Sequence, residues 1–261
     1  MNSCDSVMRR NIALVLEYEG TNYQGFQSQL GVPTIQGRLE EALKTLFGTY
    51  VKTNGAGRTD SGVHAKGQVV TFLTTATYSV ERLAHAVNAH LPDDICVQTA
   101  WEVEAEFDPR RDAWSREYEY LILNRTRPSP LWRTLTYHIA KPLDAKVMDR
   151  AAGILAESIN NSEMIQLTSN RFPQKILEAN VSSIDELVKI KFEANYFLTH
   201  QVRRISGALV KVGKEPSMIN EFESSAMAVI ENAKNLVLPA CGLYLMKVNY
   251  KSCIKYALKD R

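Results

Sequence analysis

Residues 57–68 read GRTDSGVHAKGQ: three glycines, an Arg, an Asp and a His packed between two apolar runs. Glycine at this density favours a tight bend, so what flanks the bend decides the fold. On one side lies TYVKTNGAG (49–57) and on the other GQVVTFLTT (67–75), both with the β-branched and aromatic content of strands. The stretch is therefore read as the link between two consecutive strands.

Outward from this link, NIALVLEYEG (11–20) reads as a strand closed by Gly20. TIQGRLEEALKTLFG (34–48) has Ile35, Leu39, Ala42, Leu43 and Leu46 at the 3.6-residue period, with Thr34 as cap and Gly48 as stop, which predicts a helix. SVERLAHAVNAHL (79–91) places Val80, Leu83, Ala84 and Val87 on one face, and ICVQTAWEV (95–103) follows as a strand. The order is β-α-β-β-α-β.

A weaker copy of that order starts near residue 106. SREYEYLILN (115–124) alternates as a strand, residues 144–157 suit a helix, and VSSIDELVKIKFEAN (181–195) supplies strand material. FLTHQVRRISGALVKVG (197–213) repeats Leu198, Val202, Ile205, Leu209 and Val212 at helical spacing, and GLYLMKVNY (242–250) closes with a strand. The fold class is α+β: two ferredoxin-like or RRM-like halves, residues 1–105 and 106–261, whose strands form a largely antiparallel sheet with helices on one face. The other face is left for a ligand. Residues 158–180 show no sustained period and are expected to form a long loop.

Composition narrows the function classes. The net charge is +2, too small by itself to mark a nucleic-acid binder, so the distribution of cations matters more. Arg110, Arg111, Arg116, Arg125, Arg127 and Arg133 fall close together, and Arg203, Arg204, Lys211 and Lys214 form a second group. Cys4, Cys96, Cys241 and Cys253 have neither CxxC spacing nor a matching His pair, so they read as reduced thiols rather than zinc ligands. No apolar run approaches a membrane span, and MNSCDSVMRRNIALVLEYEG lacks a signal-peptide core, so a cytoplasmic protein is expected.

The glycine-rich stretch lacks GxxxxGK[ST], and GAGRTDSG leads into a turn and a strand rather than a helix N-terminus, so phosphate cradling explains it poorly. A triad of Ser61, His64 and Asp60 lacks a nucleophile elbow. Two readings of Asp60 stay open. It caps its own turn by accepting backbone N–H groups, or it is an ionised carboxylate poised as a nucleophile, with Arg58 two residues away on the same side of an extended segment.

GAGRTDSGVHAKGQVVTF (55–72) resembles the active-site segment of the tRNA pseudouridine synthase A family, G-R-T-D-x-G-V-H-A-x-G-Q. LEYEGTNYQGFQSQ (16–29), SREYEYLI (115–122), FLTHQVRRISGALVKVG (197–213) and PACGLYLMKVNY (239–250) extend the resemblance over most of the chain in the same order. The resemblance implies isomerisation of uridine to pseudouridine in the anticodon stem-loop of tRNA, at positions 38, 39 and 40 of the tRNA, on a nucleotide flipped out of its stack and with no cofactor. It implies a homodimer whose basic clusters form an RNA-binding cleft on the free face.

By the same resemblance Asp60 is the catalytic nucleophile and Tyr118 stacks on the target uracil, its hydroxyl assisting proton removal from C5. Arg203 pairs with the carboxylate, Leu243 packs beside the base, and Arg58 fills the vacated stack. His64 is expected to be a structural hydrogen-bonder, and Tyr23, Gln24 and Phe26 to shape the entrance. His200, Arg203, Arg204, Gly207 and Lys211 share one helix face, where a glycine among cations would let RNA backbone approach. Three departures stand out: Phe26 where the family often has Trp, QVRRISG for M-V-R-x-I-V-G, and residues 158–180, which lack the family's D-F segment.

Overall fold

The structure, a computed structural model, describes residues 9–161, 173–232 and 236–251. The chain divides into two compact units, residues 1–114 with 248–261 and residues 115–247. It is a mixed α/β protein whose strands pair mostly antiparallel.

In the first unit β1 (Arg10–Tyr18) leads through a 3-10 turn (Gly20–Asn22) to α1 (Ile35–Phe47), β2 (Thr53–Gly55), β3 (His64–Thr74), α2 (Val80–Asn88) and β4 (Ile95–Val103). β1 lies between β3 and β4, antiparallel to both, and β2 pairs with the far side of β3. As the central strand β1 buries Ile12, Ala13, Leu14 and Leu16, and Leu39 and Leu43 of α1 and Leu83 and Val87 of α2 complete the core. α1 starts at the Thr34 cap that its sequence predicts, and Ser79 caps α2 in the same way. The Thr34 hydroxyl accepts from the Gly37 N–H at 3.2 Å and the Ser79 hydroxyl from the Arg82 N–H at 3.4 Å. α1 stops at Gly48, whose φ of 72° is open to glycine at little cost.

The second unit holds most of β5 (Ala113–Asn124), then β6 (Tyr137–Ile139), α3 (Ala145–Asn161), β7 (Ile176–Ile184), β8 (Leu187–Ala194), α4 (Gln201–Lys214), a 3-10 turn (Pro216–Met218), α5 (Ile219–Asn232), a 3-10 turn (Ala240–Gly242) and most of β9 (Leu243–Tyr250). Its strand order is β9-β5-β8-β7, with β6 parallel to β5. Tyr120, Ile122, Ile190 and Phe192 are buried on one face of this sheet, while Glu117, Glu119, Lys189 and Lys191 alternate onto the other. Lys189 pairs with Glu119 at 3.2 Å and Lys191 with Glu178 at 2.8 Å, so this face is furnished with ion pairs.

The structure corrects several boundaries. The strand expected over 49–57 is reduced to Thr53–Gly55, because buried Glu40 of α1 draws the chain inward: its carboxylate accepts from the Thr53 N–H at 3.1 Å and the Tyr50 hydroxyl at 3.0 Å. β3 begins at His64, inside the glycine-rich stretch. The loop expected over 158–180 is overturned at both ends, where 158–161 continue α3 and 176–180 belong to β7. Asn160 ties those ends together, its side-chain amide donating to Ile176 O at 2.9 Å while its Oδ1 accepts from the Ile176 N–H at 2.8 Å. Residues 162–172 of that segment lie outside the described residues, as do Cys4 and Cys253. No helix among the described residues is long and apolar enough to cross a membrane.

Candidate active site

Asp60 stands between the short β2 and the start of β3. Backbone alternation places Thr59 inward, 6% exposed, with Arg58 exposed and Asp60 half-buried on the outer side. The turn that follows is closed by main chain: the Val63 N–H donates to Asp60 O at 3.2 Å, and Gly62 takes φ 77°.

The segment after β1 braces this loop along its length. The Phe26 N–H donates to Thr59 O at 3.0 Å, the Gly62 N–H to Tyr23 O at 3.3 Å, and the Ser61 hydroxyl to the same Tyr23 O at 3.1 Å. Below them Tyr18 Oη and Thr59 Oγ1 lie 2.8 Å apart, both buried. The approach is close enough to require glycine twice: a Cβ on Gly20 would sit 1.9 Å from Val63 O, and one on Gly25, at φ 89°, 2.8 Å from Thr59 O. The Gln68 side-chain amide holds the upstream arm, donating to Gly57 O at 2.9 Å.

His64 is 1% exposed, and its Nδ1 accepts the Gly20 N–H at 3.1 Å. An imidazole that accepts at Nδ1 carries its proton on Nε2. This matches the structural role expected for His64. Tyr23 is buried and donates its hydroxyl to Asp94 Oδ1. Burial, and then the Asp94 hydrogen bond and charge, push its phenol well above the usual tyrosine range. Tyr23 is thus a neutral brace behind the loop.

In the second unit Tyr118 lies on β5, half-buried, its ring edge-on to Phe197 with centroids 5.3 Å apart and planes at 88°. Tyr120, two residues on, is fully buried and donates to Pro239 O at 2.7 Å. Burial raises its phenol far above the ordinary range. Gly242 makes room for it, since a Cβ there would meet Tyr120 Cε1 at 2.8 Å. Leu243, 5% exposed, follows directly at the start of β9.

Arg203 is half-buried on α4, its Nε donating to Leu238 O at 2.7 Å. His200, just before the helix, takes the left-handed φ of 58°. The basic face expected on this helix is corrected here. Gly207 is buried, and a Cβ on it would sit 2.2 Å from Leu236 O. The glycine admits the chain leading into β9, and Lys211 is the exposed cation of that set. The first arginine group is likewise partly committed: Arg111 pairs with Asp112 at 2.9 Å and Arg125 with Glu186 at 2.9 Å, while Arg116 donates to Asn195 O at 2.8 Å.

A family described as tRNA pseudouridine synthase matches residues 14–110 and 161–251, spanning the Asp60 loop, α4 and β9. The chain belongs to the tRNA pseudouridine synthase family. The family is one of isomerases. A tRNA pseudouridine synthase A of Acetivibrio thermocellus is 37% identical over 246 residues, covering 92% of this chain and 100% of that protein. Its counterpart in Thermoanaerobacter sp. (strain X514) is 36% identical over 243 residues, with the same coverage of both chains. That of Neisseria meningitidis serogroup C (strain FAM18) is 37% identical over 253 residues, covering 94% of each.

What the sequence did not reveal is the bracing of the synthase loop. Tyr18 and Thr59 are 41 residues apart, and Gly20 and His64 are 44 apart. The signal available was the spacing Tyr18-x-Gly20 at the close of a strand, where a glycine marks close backbone approach.

Proposed function

We propose that this protein isomerises uridine to pseudouridine in the anticodon stem-loop of tRNA, at positions 38, 39 and 40, with Asp60 as nucleophile and without a cofactor. The observation that carries the reading is the family match across the Asp60 loop, joined to a backbone there that is fully braced while the carboxylate remains half-exposed. An ionised carboxylate held in place by its backbone can act as a nucleophile.

In this account the target nucleotide is flipped out of its stack, because no atom of a stacked glycosidic bond is within reach of a side chain. Asp60 attacks the ribose C1′ or the uracil ring. The C1′–N1 bond breaks, the base turns, and a C1′–C5 bond forms; C5 loses a proton and N1 gains one, so composition is unchanged. The remaining roles follow the family resemblance. Tyr118 stacks on the uracil and assists deprotonation of C5, Arg203 pairs with the nucleophilic carboxylate, Leu243 packs beside the base and Arg58 fills the vacated stack.

The fold reading that goes with this function is two ferredoxin-like halves. Each unit's strands support it: with the short β6 set aside, both run fourth-first-third-second in chain order, β4-β1-β3-β2 and β9-β5-β8-β7. The first half carries the nucleophile, and the second supplies the groups that complete the active site and the RNA-binding cleft. A cytoplasmic homodimer completes the proposal, and light scattering on the purified protein tests the dimer. The reaction is tested by carbodiimide-adduct mapping of unmodified tRNA incubated with the protein alone. New pseudouridine at 38, 39 or 40 supports the reading. Folded protein that leaves every uridine of the tRNA unchanged sinks it.

A further inference from the structure

Phe197 lies in the short connection between β8 and α4, and its ring meets that of Tyr118 edge-on, with centroids 5.3 Å apart. Pairing of Tyr118 with Phe192 of β8 fixes the tyrosine's backbone, but not the rotamer of a side chain that is half-buried. The edge of Phe197 biases that choice, so the placing of Phe197 bears on where the phenol ring points.

The connection is itself held by a pair of side-chain amides. Gln174 Nε2 donates to Gln201 Oε1 at 2.8 Å, and Gln201 Nε2 donates back to Gln174 Oε1 at 2.9 Å. Gln174 Nε2 also donates to Tyr196 O at 2.8 Å, and Gln201 Oε1 also accepts the Leu198 N–H at 2.8 Å. The pair thus grips the main chain one residue before Phe197 and one residue after it. Asn195 ties the same chain to the segment of Gln174: its Nδ2 donates to Pro173 O at 2.9 Å, and its Oδ1 accepts the Lys175 N–H at 2.9 Å. Gln174 is 2% exposed, so polar atoms stranded there are poorly served by water. Gln201 opens QVRRISG, the departure from M-V-R-x-I-V-G, and Gln174 is the buried partner that matches it.

We propose that the Gln174–Gln201 amide pair positions Tyr118 for the reaction, acting through Phe197. Both glutamines are positioning residues, since each works through the main chain of residues 196–198. The inference rests on the reading in which Tyr118 stacks on the target uracil. A consequence is specific to this chain: Met at position 201, although it matches the family pattern, strands the acceptor and one donor of Gln174 and leaves the Leu198 N–H without its oxygen.

The test follows the Tyr118 ring and the reaction separately, in the full-length protein. Tyrosine rings are labelled with carbon-13, and the Tyr118 signal is assigned with Tyr118→Phe. Gln201→Met is expected to move that signal towards its place in Phe197→Leu, because the ring current of Phe197 fades as its edge withdraws. Its single-turnover rate on saturating tRNA should fall about two- to tenfold, the range that an edge-to-face contact supplies, with tRNA affinity unchanged. Gln201→Glu keeps an oxygen for Leu198 and Gln174, and should restore most of the signal and the rate. Gln201 is half-buried, so its variants test the pair even if Gln174→Met melts early. A Tyr118 signal at its wild-type place in Gln201→Met overturns the proposal, as does a wild-type rate when the signal has moved, or a loss confined to tRNA affinity. If wild type forms pseudouridine yet neither signal nor rate responds, the clamp fails and the reaction stands. If the signal moves as expected but wild type forms no pseudouridine, the clamp stands and the reaction fails.

Discussion

The Nδ1 of His64 accepts the backbone N–H of Gly20 at 3.1 Å, and both groups are buried. This bond joins the end of β1 to the downstream arm of the Asp60 loop, as the Tyr18–Thr59 contact joins it to the upstream arm. His64→Ala leaves a buried N–H unpaired, a cost of about 1–3 kcal/mol. His64→Asn places an amide oxygen near the position of Nδ1. The alanine variant is expected to melt earlier and to lose turnover with little change in tRNA affinity, and the asparagine variant to recover part of both. Calorimetry with single-turnover assays checks this; equal behaviour of the two variants would remove the bond from the account.

Gly207 distinguishes packing from RNA approach. Because its absent Cβ is occupied by Leu236 O, Gly207→Ala overpacks α4 against that chain and should cost about 1–3 kcal/mol. The fall in melting temperature is expected in the absence of RNA. A variant that melts as wild type and loses only tRNA binding would restore the exposed-face reading.

Tyr23 and Tyr120 link stability to high pH. Both phenols are pushed above their ordinary range in the folded protein, mainly by burial, whereas in the unfolded chain they ionise near pH 10. Above roughly pH 10 the unfolded state therefore binds fewer protons than the folded state, and stability declines as pH rises. Below that pH their contribution is fully present. Denaturant melts from pH 8 to 11 should show a shallower decline for Tyr120→Phe than for wild type, together with a loss of about 1 kcal/mol at neutral pH from the missing bond to Pro239 O.

Local signals carried much of the fold into the sequence. Thr34, Gly48 and Ser79 mark helix ends because their chemistry is satisfied within a few residues. β6 has three residues and exists only because β5 is beside it, so no periodicity announces it. α5 was unreadable for another reason: Ser225, at φ −163° and ψ 80°, breaks its winding and with it the phase of the apolar positions. At the candidate site Asp60 was legible through its motif. The residues that hold its loop were not, because Tyr18, Gly20 and Tyr23 meet it only after the sheet has formed.

The nucleophilic role of Asp60 is the centre of the account, and one comparison tests it most directly. Wild type and Asp60→Asn are each incubated with unmodified tRNA and no added cofactor, and pseudouridine is quantified position by position. Wild type should convert uridines in the anticodon stem-loop. Asp60→Asn should lose at least about a thousandfold in rate, as when a covalent nucleophile is removed, while still folding and retaining tRNA. Pseudouridine formation by Asp60→Asn at a rate near wild type would contradict the account.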